Sequence, residues 1–405
     1  MPDAPTLEEF EEAALAFLEA RVPRRPEARS AFGEGSDEVA LFPELSAEQE
    51  RSLVEEAKRW AREVYDAGFG WITGPPEYGG RGLSAEHARR YAALEARFVT
   101  PSQAPRGIGL GMVAPTILAH GTEAAKRRYL RPLWRGDIIA CQLFSEPGAG
   151  SDLASVATRA TRDGDEWVLE GQKVWTSGAH YSDIGEILCR SDPDAPKHRG
   201  LSAFLVDMHA PGVEVRPLRQ MTGGASFNEV FLTGVRVPAD HLLGEPNDGW
   251  RVALTTLMNE RAAIGGGGAG PGTGYVARLV ELSRHLGRSG DPLVRQQLAD
   301  LVVRVEVARL TTARALGETP PGSLPSPLLS LAKLALTENL RRASDVATTL
   351  LGCRLAADGG GWGTYAWARF VLGVPGMRVA GGTDEVMRTI LGERVLGLPK
   401  EPPAA

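Results

Sequence analysis

Cysteine is scarce in this 405-residue chain, with Cys141, Cys189 and Cys353 standing far apart. That excludes a disulfide framework and a CxxC metal site, and it fits a reducing compartment. Each thiol is expected as a small buried hydrophobe. No apolar run is long enough to cross a bilayer. The N-terminus has no basic segment leading into an apolar core, so no secretory signal is expected and a cytoplasmic location is. A basic excess is also missing. The net charge of -6 argues against a non-specific nucleic-acid binder. The histidines show no metal-ligand spacing, and no metal is expected. His180 and His241 stand alone, so each is expected to be satisfied or exposed. No GxSxG elbow is present, which leaves serine-hydrolase chemistry without support.

What the chain does have is a change of texture, twice. Apolar residues Leu7, Phe10, Ala14, Phe17 and Leu18 recur at helical spacing. Ser46 with Gln49, just before Leu53 and Val54, predicts a capping box opening a helix that runs to about Tyr65. A glycine-rich turn follows over 68–82. A third helix is expected after Ser84, which has His87 rather than Glu three residues on. Another helical pattern covers 122–134. From 138 to about 238 the pattern shortens to alternating runs at 167–169, 187–188, 203–206, 213–215 and 230–232, and predicts a small antiparallel β unit. Helical periodicity then returns, with helices expected at 250–263, 274–286, 291–316, 327–351 and 384–395. The proline-rich stretch 318–327 reads as a connection. The expected layout is therefore an N-terminal helical domain (1–137), a central β domain (138–245) and a C-terminal helical bundle (246–405).

Three short motifs fall on this layout. FSEPGAGSD at 144–152 joins proline, glycine and serine in a loop that can turn backbone N–H groups toward a polar or anionic ligand. GQKVWTSGA at 171–179 places an indole beside two hydroxyls, and an indole plane can stack on another aromatic system. GGTDEVMR occupies 381–388. The glycine run from 265 to 274 contains a GxGxxG match, but a helix precedes it, so a dinucleotide-binding turn is not expected there. Glu260-Arg261 closes a helix carrying Leu254, Leu257 and Met258, and such a pair alone reads as a solvated surface feature.

The three motifs in this order resemble the acyl-CoA dehydrogenase family of flavoenzymes. The likeness extends to PPEYGGRG at 75–82, FNEVFLTGVRVP at 227–238 and GGTDEVMRTILGERVLGLP at 381–399. It implies a mainly α fold with a central β domain: an N-terminal helical domain, a β-barrel-like middle domain and a C-terminal four-helix bundle. It also implies FAD, an acyl-CoA or acyl-carrier thioester substrate, and an electron-transferring flavoprotein as acceptor. A homo-oligomer, tetramer or dimer, is implied as well, within fatty acid metabolism. By position, Gln142, Phe144, Ser145, Gly150 and Ser151 would line the flavin, with Ser151 also near the thioester. Trp175, Thr176 and Ser177 would border the ring, Ser177 offering a hydroxyl to its reactive nitrogen. Thr383, Asp384 and Glu385 would reach the flavin from the C-terminal segment. Gly381, Gly382 and Arg261 would lie near substrate. The implied reaction is α,β-desaturation: a carboxylate removes the α-proton while flavin takes the β-hydride, with enolate-like charge stabilised by hydrogen-bond donors.

The chain departs from the family pattern at the base. Many members carry this carboxylate in a Tyr-Glu-Gly-Thr segment, where this sequence has Ala380-Gly381-Gly382-Thr383. A subset, including isovaleryl-type enzymes, carries it instead before an arginine on the first helix of the bundle, the position of Glu260. Glu260 is therefore the expected base. A family Arg-x-x-Phe-Gly segment that reaches the flavin pyrophosphate is replaced by LSRHLGRSGDP at 282–292, where Arg284 or Arg288 would substitute. The Leu351-Gly352-Cys353 region lacks the usual double glycine. Two alternatives remain open. One is a flavin oxidase or monooxygenase on the same fold. The other is a non-catalytic subunit of a heteromeric acyl-CoA dehydrogenase.

Overall fold

The computed structural model describes residues 4–26, 32–42, 44–265, 274–317 and 326–400. The glycine run at 266–273 and most of the proline-rich connection lie outside the described residues. The chain forms two compact units. The first comprises residues 1–29, 45–218 and 227–256, and the second 30–44, 219–226 and 257–405.

The first unit opens with helices α1 (Leu7–Glu19), α2 (Ala47–Asp66), α3 (Ala85–Glu95), α4 (Ala114–His120) and α5 (Glu123–Arg135). Ser46 caps α2 reciprocally with Gln49, as expected, and Thr6 caps α1 in the same way with Glu9. At α3 the cap is absent, because Ser84 Oγ turns to His87 Nδ1 at 2.8 Å instead. Phe10, Phe17, Trp60, Phe69, Tyr91 and Phe98 form a core shared by α1, α2 and α3.

The same unit carries strands β1 (Ala140–Leu143), β2 (Arg159–Asp163), β3 (Glu166–Ser177), β4 (Ile184–Arg190), β5 (Leu201–Asp207), β6 (Val213–Leu218), β7 (Phe227–Pro238) and β8 (Leu242–Leu243). They make one sheet in the order β6-β7-β3-β2-β4-β5-β8, with β1 added on β4. The expected all-antiparallel unit needs correcting. β1 runs parallel to β4, and β2 touches β4 in parallel as well. A parallel neighbour requires a crossover rather than a hairpin. Here the FSEPGAGSD loop, β2 and β3 make that crossover, so the motif leaves the end of the strand paired to β4. Trp167, Leu169, Phe204, Val230 and Leu232 fill the interior. Cys141 and Cys189 are buried there, and burial pushes both thiols up to about 12. Cys353 is exposed, contrary to its expected burial.

Helix α6 (Gly249–Gly265) starts in the first unit, and its second half belongs to the second. The second unit continues with α7 (Gly274–His285), α8 (Pro292–Gly317), α9 (Leu329–Leu351), α10 (Ala366–Val379) and α11 (Asp384–Ile390). Helices α7 to α10 share one core built on Leu279, Leu298, Leu340, Ala347, Trp367 and Phe370. Helix α10 goes unpredicted because Gly373, Pro375 and Gly376 interrupt its interior, and such residues ordinarily stop a helix.

Candidate functional site

The loop after β1 rests on a buried ion pair. Glu146 and Ala149 exchange backbone hydrogen bonds of 3.0 Å in both directions, closing a tight turn over Pro147 and Gly148. Beneath it Lys173, fully buried on β3, donates to Glu146 Oε1 at 2.8 Å, Phe144 O at 3.0 Å and Leu188 O at 2.6 Å. Glu146 also accepts from Ala157 N at 2.6 Å and Thr158 N at 2.9 Å. Burial alone would push its carboxyl up, but the Lys173 charge and these hydrogen bonds outweigh that and hold it below the usual carboxylate range. Gln142 lies opposite Glu186, Phe144 is buried, and Ser145 O accepts from Val174 N at 2.9 Å. Gly150 and Ser151 are exposed. A Cβ at Gly148 or Gly150 would meet nothing within 4 Å. These glycines therefore leave bare backbone at the surface rather than relieve a clash within the fold.

The second motif contains the strained residue of this face. Lys173 pairs with Val230, and Thr176 with Asn228, so Val174 and Trp175 together oppose Glu229. This is a β-bulge, which re-aims a side chain. Trp175 takes φ +60 and stands 59% exposed, with an edge contact to Phe227 at 6.0 Å. A left-handed, outward-facing tryptophan costs backbone energy and wins little burial, a pattern that collects at functional sites. Thr176 is buried, and its Oγ1 has no hydrogen-bond partner. Ser177 follows at the end of the strand, half-buried. The Lys173 and Val174 contacts bring this segment and the FSEPGAGSD loop together on one face. An exposed indole, an orphaned hydroxyl and bare glycine backbone suit a flat ligand with polar edges.

In the second unit, Glu260 and Arg261 lie on the last turns of α6, both half-buried. Burial pushes the Arg261 guanidinium below its ordinary range, opposed by the Glu260 charge. Arg261 Nε is buried without a hydrogen-bond partner. The pair is therefore not the solvated surface feature that its dipeptide alone suggests. Gly381 and Gly382 adopt φ +66 and +91, and Thr383 caps α11 by accepting from Val386 N. Asp384 faces inward. Its Oδ1 accepts from Lys333 Nζ at 3.1 Å and Thr337 Oγ1 at 2.8 Å, and its Oδ2 from Arg378 Nε at 2.7 Å. The side chain is thus engaged within the bundle, where it anchors the loop. Glu385 is exposed, with Arg388 at 3.6 Å. Arg288 pairs with Asp291 at 2.8 Å.

Three family models cover nearly the whole chain. They are the acyl-CoA dehydrogenase N-terminal domain over residues 5–137, the middle domain over 141–235 and the C-terminal domain over 247–396. The chain belongs to the acyl-CoA dehydrogenase family. It is 38% identical over 355 residues to the acyl-CoA dehydrogenase IpdE1 of Mycobacterium tuberculosis, covering 87% of this chain and 91% of that one. Among solved structures, the Tcur3481-Tcur3483 steroid acyl-CoA dehydrogenase matches with a TM-score of 0.73 and 28% identity, covering 98% and 99% of the two chains. The ChsE4-ChsE5 complex from Mycobacterium tuberculosis matches with a TM-score of 0.71 and 28% identity over 99% and 100%. The family is flavin-dependent, and acyl-CoA dehydrogenase is accordingly the oxidoreductase class of this chain.

Several groups that shape this acyl-CoA dehydrogenase escape sequence reasoning. Lys173 and Glu146 lie inside recognised motifs, yet nothing local marks them as a buried pair. Lys333 looks like one more surface lysine of α9, but it is almost fully buried against Asp384. His241 behaves as expected, satisfied by Tyr129 Oη at 3.0 Å and Leu205 O at 3.1 Å. No group of three or more metal-ligating side chains occurs among the described residues. No helix there is long and apolar enough to cross a membrane.

Proposed function

We propose that this chain binds FAD and desaturates an acyl-CoA thioester between its α and β carbons, with Glu260 removing the α-proton. The observation that carries this reading is a pair of facts about the second unit. Gly381, where many relatives keep the base, has no ionisable group, while Glu260 stands beside a desolvated arginine. Flavin, when bound, supplies the acceptor for the β-hydride. The protein's part is to hold the thioester and to take the proton at Glu260. Arg261 keeps charge beside that carboxylate and has a spare donor at Nε. Trp175, Thr176 and Ser177 would flank the ring, and the bare loop through Gly150 and Ser151 would approach it with backbone N–H groups. The family resemblance also assigns Gln142, Phe144 and Ser145 in the first unit and, separately, Thr383 and Glu385 in the second to the cofactor. The family resemblance assigns Ser151 in the first unit and, separately, Gly381 and Gly382 in the second to the thioester. Asp384 acts through the loop it anchors. The reading keeps three functional parts, 1–137, 138–245 and 246–405, and an electron-transferring flavoprotein as acceptor.

Assembly is proposed through α8. Val303, Val307 and Leu310 share one helical face and are 59%, 55% and 54% exposed. Such an apolar stripe suits a second subunit. The reading favours a homo-oligomer. A paired, unlike chain is the second reading, because two structural neighbours bear names of two-component complexes.

The test is anaerobic titration of the yellow protein with straight-chain, branched, glutaryl and steroid-side-chain CoA thioesters. Bleaching of the flavin band by one class is expected. A flavoprotein that no thioester bleaches would contradict the reading. A chain that stays colourless until a second polypeptide is added would favour the paired-chain reading.

A further inference from the structure

The bulge that presents Trp175 has a support beyond its own 171–179 motif. Asn228 is fully buried on β7, directly opposite Thr176. Its Nδ2 donates to Thr176 O at 3.0 Å and lies 3.1 Å from His180 Nδ1. His180 Nε2 lies 2.6 Å from Glu50 Oε2 on α2. The orientation of each group follows from its neighbour. Reversing the Asn228 amide would set Oδ1 against the Thr176 carbonyl, oxygen on oxygen, so Nδ2 must face it. His180 Nδ1 is then an acceptor, which requires the ring proton on Nε2. The Glu50 carboxylate accepts the hydrogen bond from that N–H. Three side chains from α2, the β3–β4 connection and β7 thus form one directed chain ending on the backbone of the bulge.

We infer that Glu50, His180 and Asn228 are positioning residues that hold the strained Trp175–Ser177 segment in its outward-facing form. A bulge disrupts the regular ladder, and the Asn228 side chain supplies a donor to the carbonyl of Thr176, the residue that follows it. Without that donor, the left-handed turn at Trp175 loses an anchor and relaxes toward a regular strand, which would turn the indole. The consequence for flavin rests on the reading in the preceding section. The positioning claim does not.

The experiment uses the full-length protein with Asn228→Leu, His180→Leu and His180→Gln. Acrylamide quenching of Trp175 is read in the flavin-free protein, as the difference between each variant and the same variant carrying Trp175→Phe. The FAD dissociation constant is read separately by titration. Asn228→Leu and His180→Leu are expected to change Trp175 quenching and to weaken FAD about tenfold, the order for a buried group deprived of its partner. Gln can accept at Oε1 and donate at Nε2, so His180→Gln is expected to keep wild-type values. Unchanged quenching in His180→Leu, which is half-exposed and tolerant of replacement, would overturn the inference. Equal damage from His180→Gln and His180→Leu would overturn the assigned direction of the chain. Altered quenching with unaltered FAD affinity would uphold the positioning role and count against the flavin reading instead.

Discussion

Trp175 combines a left-handed backbone with an exposed indole, and the two together make its energetics unusual. A non-glycine residue in that region costs about 1–2 kcal/mol. Trp175→Gly removes this strain, while glycine adds chain entropy in the unfolded state of roughly 0.5–1 kcal/mol. The flavin-free protein is therefore expected to melt at or slightly above the wild-type temperature, while FAD binding weakens. Differential scanning fluorimetry and flavin titration check the two halves. A large loss of thermal stability would show that the indole serves the fold rather than a ligand. Lys173 predicts the opposite profile. Lys173→Met leaves Glu146 buried without its cation, and breaking such a pair costs about 3–5 kcal/mol, measurable by urea unfolding. The KVWTSGA motif was legible as a candidate ligand-facing stretch because its indole and hydroxyls are unusual neighbours. The depth of Lys173 was not, because its acceptors come from the loop after β1 and from β4.

At the scale of elements, the loop between α10 and α11 shows how a motif can be legible while its physics is not. GGTDEVMR stands out in the sequence, and Thr383 caps α11 as its type predicts. The inward turn of Asp384 depends on Lys333 and Thr337 of α9 and Arg378 of α10, and α10 itself is disguised by Pro375. Burial alone would push the Asp384 carboxyl up, but the hydrogen bonds from Arg378, Thr337 and Lys333 outweigh this and leave it below the usual range. The sign follows for a carboxyl depressed in the folded state. Its contribution is full above the unfolded value of about 4 and is lost as pH falls through the lower folded value. Asp384→Asn should therefore lower the melting temperature at neutral pH and flatten its fall on acidification. A variant whose melting curve tracks wild type at every pH would contradict this. Glu146, also depressed, leaves part of the acid slope in place.

Over the whole molecule, the order of helical, β and helical texture was legible because period 3.6 and period 2 are distinct patterns. The parallel pairing of β1 with β4 was not, because pairing partners are chosen by the tertiary fold. Assembly shows the same limit. Val303, Val307 and Leu310 are a visible stripe, but helical spacing alone does not distinguish a core face from an exposed one. Val303→Glu with Val307→Glu is expected to shift the protein to a smaller species in sedimentation, with secondary structure retained. An unchanged mass would remove α8 from the interface.

The assignment of Glu260 as the base is the centre of the account. Its most direct test is flavin-loaded Glu260→Gln mixed anaerobically with a thioester that bleaches the wild-type protein, followed at the flavin band and by deuterium uptake at the α carbon. The account predicts retained flavin and bound thioester, with bleaching and exchange slowed by at least about a hundredfold, the scale of a lost general base. Bleaching and exchange at the wild-type rate would contradict it.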